Sequence, residues 1–362
     1  MLSTSISSEF SNEILGQKFF NKYYCIKKLG EGSFGSIYKA NYNNEEYALK
    51  FEERKLNYNL LENEAGIMNY LKGPNIPKVK SYGFTQKYNI LVMELLGPNL
   101  LQIFLKKNFF SVKTVCMIGI QMINILKNIH EKHILHRDIK PENFCLGKYN
   151  DDNKIYLIDF GLAKKYRSSR TLVQYPLIIK ENKLTGTARY ASINALKGYE
   201  HSRRDDLESL TYCFIFFLKG ELPWQNIKAK KKKEKFEKIL EKKIQIKNSE
   251  LCSNIPYEFQ IFLEKVKNLR YEEKPEYNSL QNLLKQIMEK ENLLCDYVYD
   301  WSCKNKEVDK NNNKDKNETT NEDSSCEENN DGNYHIKRNK KYKNYFEYEE
   351  PEVNCTTVCN IF

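Results

Sequence analysis

His136-Arg137-Asp138-Ile139-Lys140-Pro141-Glu142-Asn143-Phe144, followed by Ile158-Asp159-Phe160-Gly161, is the stretch whose reading decides the fold. An Asp with an Asn five places on, then a second Asp before Phe-Gly, is a pattern that sets a hydroxyl nucleophile and a metal-bound phosphoryl group in register. In that pattern Asp138 accepts the hydroxyl proton and Lys140 reaches the phosphoryl group in transfer. Asn143 and Asp159 offer the hard oxygen ligands that Mg²⁺ prefers. Either half alone also fits a buried polar turn between short strands. Both halves in this order, with 21 residues from Asp138 to Asp159, make that bland reading remote.

Toward the N-terminus, Tyr24-Cys25-Ile26-Lys27-Lys28-Leu29 alternates as a half-buried strand and runs into Gly30-Glu31-Gly32-Ser33-Phe34-Gly35-Ser36-Ile37-Tyr38. Gly30, Gly32 and Gly35 let a hairpin backbone close over phosphates with its N–H groups facing them. A dinucleotide fold would need a helix next, whereas Ser36 to Ala40 continues as a strand. Asn43-Asn44 suits a tight hairpin turn, because Asn tolerates positive φ, and leads into the strand Tyr47-Ala48-Leu49-Lys50-Phe51. Lys50, set between apolar neighbours, is the candidate partner of the α- and β-phosphates. A helix from about Asn59 to Leu71 offers Glu64 to hold it, with Glu62 as the fallback register. Toward the C-terminus of the first lobe, Ile90 to Leu96 reads as a buried strand ended by Gly97-Pro98. From the N-cap Ser111, apolar residues at three- and four-residue steps to Ile129 predict a long helix ending just before the opening stretch. His130, His133 and His136 straddle that helix end without a nearby carboxylate, which argues against a metal cluster.

With these parts in order the chain resembles a eukaryotic protein kinase, and its next segment resembles the casein kinase 1 family. Leu184-Thr185-Gly186-Thr187-Ala188-Arg189-Tyr190-Ala191-Ser192-Ile193-Asn194 carries the hallmark Ser-Ile-Asn where most kinases have Ala-Pro-Glu. Ser202-Arg203-Arg204-Asp205-Asp206-Leu207-Glu208, Leu222-Pro223-Trp224-Gln225 and Asp296-Tyr297-Val298-Tyr299-Asp300-Trp301 agree as well. The resemblance covers about residues 20 to 302. It implies an α+β bilobal fold: a small antiparallel-sheet N-lobe with one major helix over about 22–94, and a larger helical C-lobe over about 98–302. It also implies ATP and Mg²⁺ as cofactors. The ATP site would take in Gly30, Gly32, Ser33, Phe34, Gly35, Ile37, Ala48 and Lys50, with Met93 guarding a back pocket and Glu94 and Leu96 binding adenine through their backbones. Asp206 would brace the catalytic loop. The expected substrates are Ser/Thr in acidic or phospho-primed proteins, with Arg189, Lys235 and Lys228 binding the priming anion. Asn226 replaces a usual Gly, and the segment from Thr171 to Lys183 is one residue longer than the family pattern.

Composition agrees. The net charge of +10 is concentrated before residue 303, since the tail is net acidic, and this favours acidic partners. The basic excess comes without a nucleic-acid-binding module, so no nucleic-acid partner is expected. Ten cysteines without a Cys-x-x-Cys pair favour a reduced compartment, the cytoplasm. Lys230 to Lys233 reads as a solvated run or a nuclear import signal. No stretch is expected to reach the roughly 20 apolar residues of a membrane span. Residues 1–21 read as a loose lead-in and 303–362 as a disordered tail, in which Thr319, Thr320, Ser324 and Ser325 are candidate autophosphorylation sites. The final Cys359-Asn360-Ile361-Phe362 fits a prenylation motif, with Cys355 open to a second lipid, which gives a membrane-tethered alternative. The expected state is a monomer. The competing reading is a pseudokinase scaffold that binds acidic or phosphorylated partners without turnover.

Overall fold

A computed structural model describes residues 13–32, 35–54, 60–179 and 184–302. Ser33 and Phe34, and the tail candidates Thr319, Thr320, Ser324, Ser325, Cys355 and Cys359, lie outside the described residues.

A six-stranded sheet builds the first lobe. Strands β1 (Lys18–Phe19), β2 (Tyr23–Gly32), β3 (Gly35–Tyr42), β4 (Glu45–Glu53), β5 (Val79–Phe84) and β6 (Tyr88–Glu94) form an antiparallel sheet in the order β1-β2-β3-β4-β6-β5. Because side chains along a strand point to opposite faces in turn, two cores result. Tyr38, Ala40, Leu49, Phe51, Ile90 and Val92 gather on one face, and Ile37, Ala48, Leu91 and Met93 join the main core on the other. The register sets Ile37 opposite Lys50 and Ala48 opposite Met93, so Lys50 shares the second face. Asn43 and Asn44 make the β3–β4 turn at φ 50° and 62°.

The lead-in reading needs correction for residues 13–21. Ile14 is fully buried, the Phe19 ring meets Phe51 edge-on at 4.8 Å, and Glu13 accepts from the Tyr88 hydroxyl at 3.1 Å. The lobe therefore begins before residue 22. A few apolar residues that pack against distant strands leave no local period to read.

Helix α1 (Leu60–Leu71) packs on β5 and β6. The second lobe is built from α2 (Leu100–Lys107), α3 (Val112–Glu131), α4 (Ile193–Leu196), α5 (Arg203–Lys219), α6 (Lys232–Gln245), α7 (Asn248–Leu251), α8 (Tyr257–Lys267) and α9 (Tyr277–Lys290). Two short ladders cross its cleft side: β7 (Ile134–Leu135) with β10 (Lys164–Lys165), and β8 (Phe144–Leu146) with β9 (Ile155–Leu157). Contrary to the sequence expectation, α3 has the length and apolar composition to cross a membrane. In the fold it is a core helix, with Val115, Ile118, Met122, Ile125 and Leu126 buried and α5 and α9 packed against it. Its N-terminus is held twice. Ser111 caps Thr114, and the Asp300 carboxylate accepts from the Ser111 amide and hydroxyl, both at 2.7 Å. Trp301 meets Phe110 at 5.1 Å, so the final motif closes back onto the helix start. Of the described cysteines, Cys25, Cys116, Cys145, Cys213 and Cys252 are buried, Cys295 is exposed, and none forms a disulfide.

Candidate active site

Lys50 reaches from β4 into the cleft between the lobes. Its Nζ lies 2.7 Å from Glu64 Oε2 on α1 and 2.9 Å from Asp159 Oδ1. Glu64, not the fallback Glu62, is thus the partner. Burial opposes the Lys50 charge, but Asp159 and Glu64 outweigh it and hold the ammonium above the ordinary lysine range. One cation between two carboxylates leaves an excess negative charge. Burial disfavours it on Glu64, whose pKa rises to about 7 and which is therefore the first of the two to take up a proton, whereas Lys50 and Lys140 overcome the burial of Asp159 and hold it at about 2. Helix α1 also packs against the turn Phe160–Leu162 that follows Asp159. Asp159 sits at φ 65°, a left-handed conformation costly for a residue with a Cβ. Its ion pair with Lys50 and the burial of Phe160 hold it there.

Asp138 and Lys140 face each other at 2.7 Å. Thr187 joins them: its amide and hydroxyl donate to Asp138 Oδ1 at 2.9 and 2.8 Å, and its hydroxyl oxygen accepts from Lys140 Nζ at 3.2 Å. The neighbouring Gly186 makes this approach feasible. At φ 92° it lies so close to the loop carrying Arg137 and Asp138 that a Cβ would come within 2.4 Å of the Arg137 carbonyl oxygen. The sequence reading used the Thr-Gly-Thr run to recognise a family but assigned Thr187 no role. The contact spans 49 residues and has no local signature.

The loop is braced from below. The Asp206 carboxylate on α5 accepts from the His136 and Arg137 amides, both at 2.9 Å, and from His130 Nε2 at 2.8 Å. His130 Nδ1 lies 2.7 Å from the Tyr277 hydroxyl, so both ring nitrogens are used, and in the neutral ring Nε2 donates while Nδ1 accepts. Burial lowers the His130 pKa against the pull of Asp206. His136 is buried, with Nε2 donating to the Ile158 carbonyl at 3.0 Å. These histidines are structural tethers.

The donor set fits a hard cation. Asn143 Nδ2 donates to the Asp138 carbonyl at 2.8 Å, which leaves its side-chain oxygen as the ligand-type atom, and Asp159 is partly open to the cleft. The described glycines of the loop, Gly30, Gly32 and Gly35, suit a phosphate cradle. A Cβ on Gly30 or Gly32 would meet empty space, whereas Gly35, at φ 136°, would carry one 1.8 Å from the Phe51 carbonyl oxygen. Ile37, Ala48 and Met93 lie on the cleft face of the sheet. The Glu94 amide is bonded to the Lys78 carbonyl, while the Leu96 amide has no backbone acceptor among the described residues.

Arg189 is half-buried, with its guanidinium 6.0 Å from the Tyr190 ring. Lys235 is half-buried on α6 and Lys228 is exposed before it. The segment carrying Arg189 is joined to α6 through Lys243, which lies eight residues, roughly 12 Å, along the helix from Lys235.

Residues 23–291 match the family model described as a protein kinase domain. That span takes in both lobes, the Lys50–Glu64 pair and the Asp138 and Asp159 turns, and the chain belongs to the protein kinase family.

Proposed function

We propose that this protein kinase is a Ser/Thr kinase of the casein kinase 1 type. It transfers the γ-phosphoryl group of ATP to hydroxyls that follow acidic or phosphorylated residues. The observation that carries this reading is the triangle of Asp138, Lys140 and Thr187. In it Thr187 holds the Asp138 carboxylate beside Lys140, and the segment that supplies Thr187 also carries Arg189.

Asp138 orients the hydroxyl and takes its proton as the new O–P bond forms and the bond to the ADP oxygen breaks. Lys140 neutralises charge on the phosphoryl oxygens, and Lys50, fixed by Glu64, holds the α- and β-phosphates. Asn143 and Asp159 would hold Mg²⁺, which when bound offsets the triphosphate charge. Ala48, Ile37 and Met93 would flank the adenine, with the backbone of Glu94 and Leu96 beside it. Arg189, Lys235 and Lys228 would bind the priming phosphate or carboxylate. The complete set of charged groups disfavours the pseudokinase reading.

Turnover with Mg·ATP on a peptide carrying phosphoserine three residues before the acceptor, against its unphosphorylated twin, tests the assignment. Preference for the primed peptide is expected, and equal use overturns the anion site. Cytoplasmic or nuclear residence of a monomer is proposed, with tethering through Cys359 as the alternative. An intact mass that retains unmodified Cys359 and the three residues after it removes the tether.

A further inference from the structure

The phosphoryl-transfer machinery makes no use of one buried cation. Lys243, on α6, is 1% exposed. Its Nζ donates to the carbonyl oxygens of Ala188 at 3.3 Å, Arg189 at 3.2 Å and Ala191 at 2.5 Å. It also lies 4.4 Å from the centre of the Tyr212 ring and 4.7 Å from that of Trp224. Trp224 adds a donor of its own, from Nε1 to the same Arg189 carbonyl at 2.7 Å.

An ammonium has three N–H donors, and here each finds a carbonyl. The acidic group acting on Lys243 is Glu208 of α5, whose Oε1 already accepts from the Ile193 amide at 2.9 Å and the Tyr212 hydroxyl at 2.7 Å. Burial lowers the Lys243 pKa to about 7, and Lys267 of α8 adds a weaker repulsion. Peptide dipoles and two aromatic faces therefore hold the charge in place of a bonded carboxylate. A buried charge without a close counter-ion is costly, and an apolar side chain of similar length would pack at this position without that cost. What the apolar chain would lack is the grip on four residues that begin immediately after Thr187 and include Arg189.

We propose that Lys243 is a positioning residue for the peptide substrate. Its ammonium gathers the carbonyls of Ala188, Arg189 and Ala191 so that Thr187 is held against Asp138 and the Arg189 side chain is presented to the peptide. The part concerning primed substrates rests on the proposed role of Arg189; the part concerning Thr187 does not.

The test compares full-length wild type with Lys243→Met and Lys243→Arg in steady-state kinetics, varying Mg·ATP, the phosphoserine-primed peptide and its unprimed twin. Lys243→Met is expected to raise the KM of both peptides, that of the primed one by about tenfold, as for loss of a charge-assisted hydrogen bond. The KM for Mg·ATP stays within about twofold, and Lys243→Arg recovers most of the peptide KM because the charge and donors return. A folded Lys243→Met enzyme with both peptide KM values unchanged overturns the proposal. A merely structural role would lower the active fraction, and hence kcat, without this split. If Lys243→Met does not fold, Trp224→Phe carries the test by deleting the second donor to the Arg189 carbonyl. A peptide KM raised about threefold supports the proposal and an unchanged one overturns it. Arg189→Ala separates the two readings. If it keeps the primed preference while Lys243→Met weakens both peptides, the anion site fails and the positioning role stands.

Discussion

Replacing Asp206 by Asn tests how far the catalytic loop depends on its brace. The carboxylate meets three donors with two oxygens: His130 Nε2 and the His136 amide at Oδ2, and the Arg137 amide at Oδ1. An amide has one acceptor oxygen. With that oxygen placed at the Oδ2 position, the NH₂ group faces the Arg137 N–H, donor against donor. One charge-assisted bond is lost, about 1.5–3 kcal/mol, and a buried N–H is stranded at about 1–3 kcal/mol more. Arg137, at φ 67°, is held in a left-handed conformation that this bond helps to keep. The expected loss is about 3–5 kcal/mol by urea unfolding, within the range that leaves a typical domain folded. Because Arg137 directly precedes Asp138, kcat should fall on the order of a hundredfold, as for small misplacements of a reacting group, with the KM for Mg·ATP little changed. An Asp206→Asn protein within about 1 kcal/mol of wild type and within about threefold in kcat would refute the reasoning.

Two further outcomes follow from buried groups. His130 is neutral in the fold with its pKa lowered, so the unfolded chain binds the extra proton. Stability is then present above the unfolded value, near 6.5, and falls as pH drops below it, by up to about 1.4 kcal/mol per pH unit. Urea midpoints measured against pH should show this slope, and His130→Gln should lose it; Asp206, with its pKa lowered, contributes its own loss at more acid pH. Gly35→Ala drives a Cβ into the Phe51 carbonyl at a positive φ. It should cost on the order of 1–3 kcal/mol and weaken nucleotide binding, read by calorimetry with Mg·ATP; unchanged binding and stability would show that the hairpin does not need a glycine there.

What could be read from the letters follows the reach of the interactions. The sheet was legible because β3 alternates in burial while β4 and β6, covered on both faces, read as near-continuous apolar runs, and the β3–β4 turn because Asn tolerates positive φ. The Lys50–Glu64 pair was legible because a strand and the helix after it place the two only 14 residues apart. Residues 13–21 were misread because Ile14 and Phe19 take their meaning from Phe51 and other residues of distant strands. The length and composition of α3 did not distinguish a core helix from a membrane span; its contacts with α5 and α9 did. Thr187 and Lys243 were passed over for a related reason. Each works through backbone amides or carbonyls, which every residue has, at separations of about fifty residues.

The central claim is that Asp138 takes the proton of an acceptor hydroxyl in a site whose nucleotide contacts lie elsewhere, on Lys50, Asn143 and Asp159. Transfer of γ-phosphate from Mg·ATP to a serine peptide, measured beside ATP affinity in wild type and Asp138→Asn, tests this most directly. Wild type is expected to turn over, and Asp138→Asn to lose at least about a hundredfold in kcat while binding ATP within about threefold. Equal turnover by the two proteins, or none by the wild type, would contradict it.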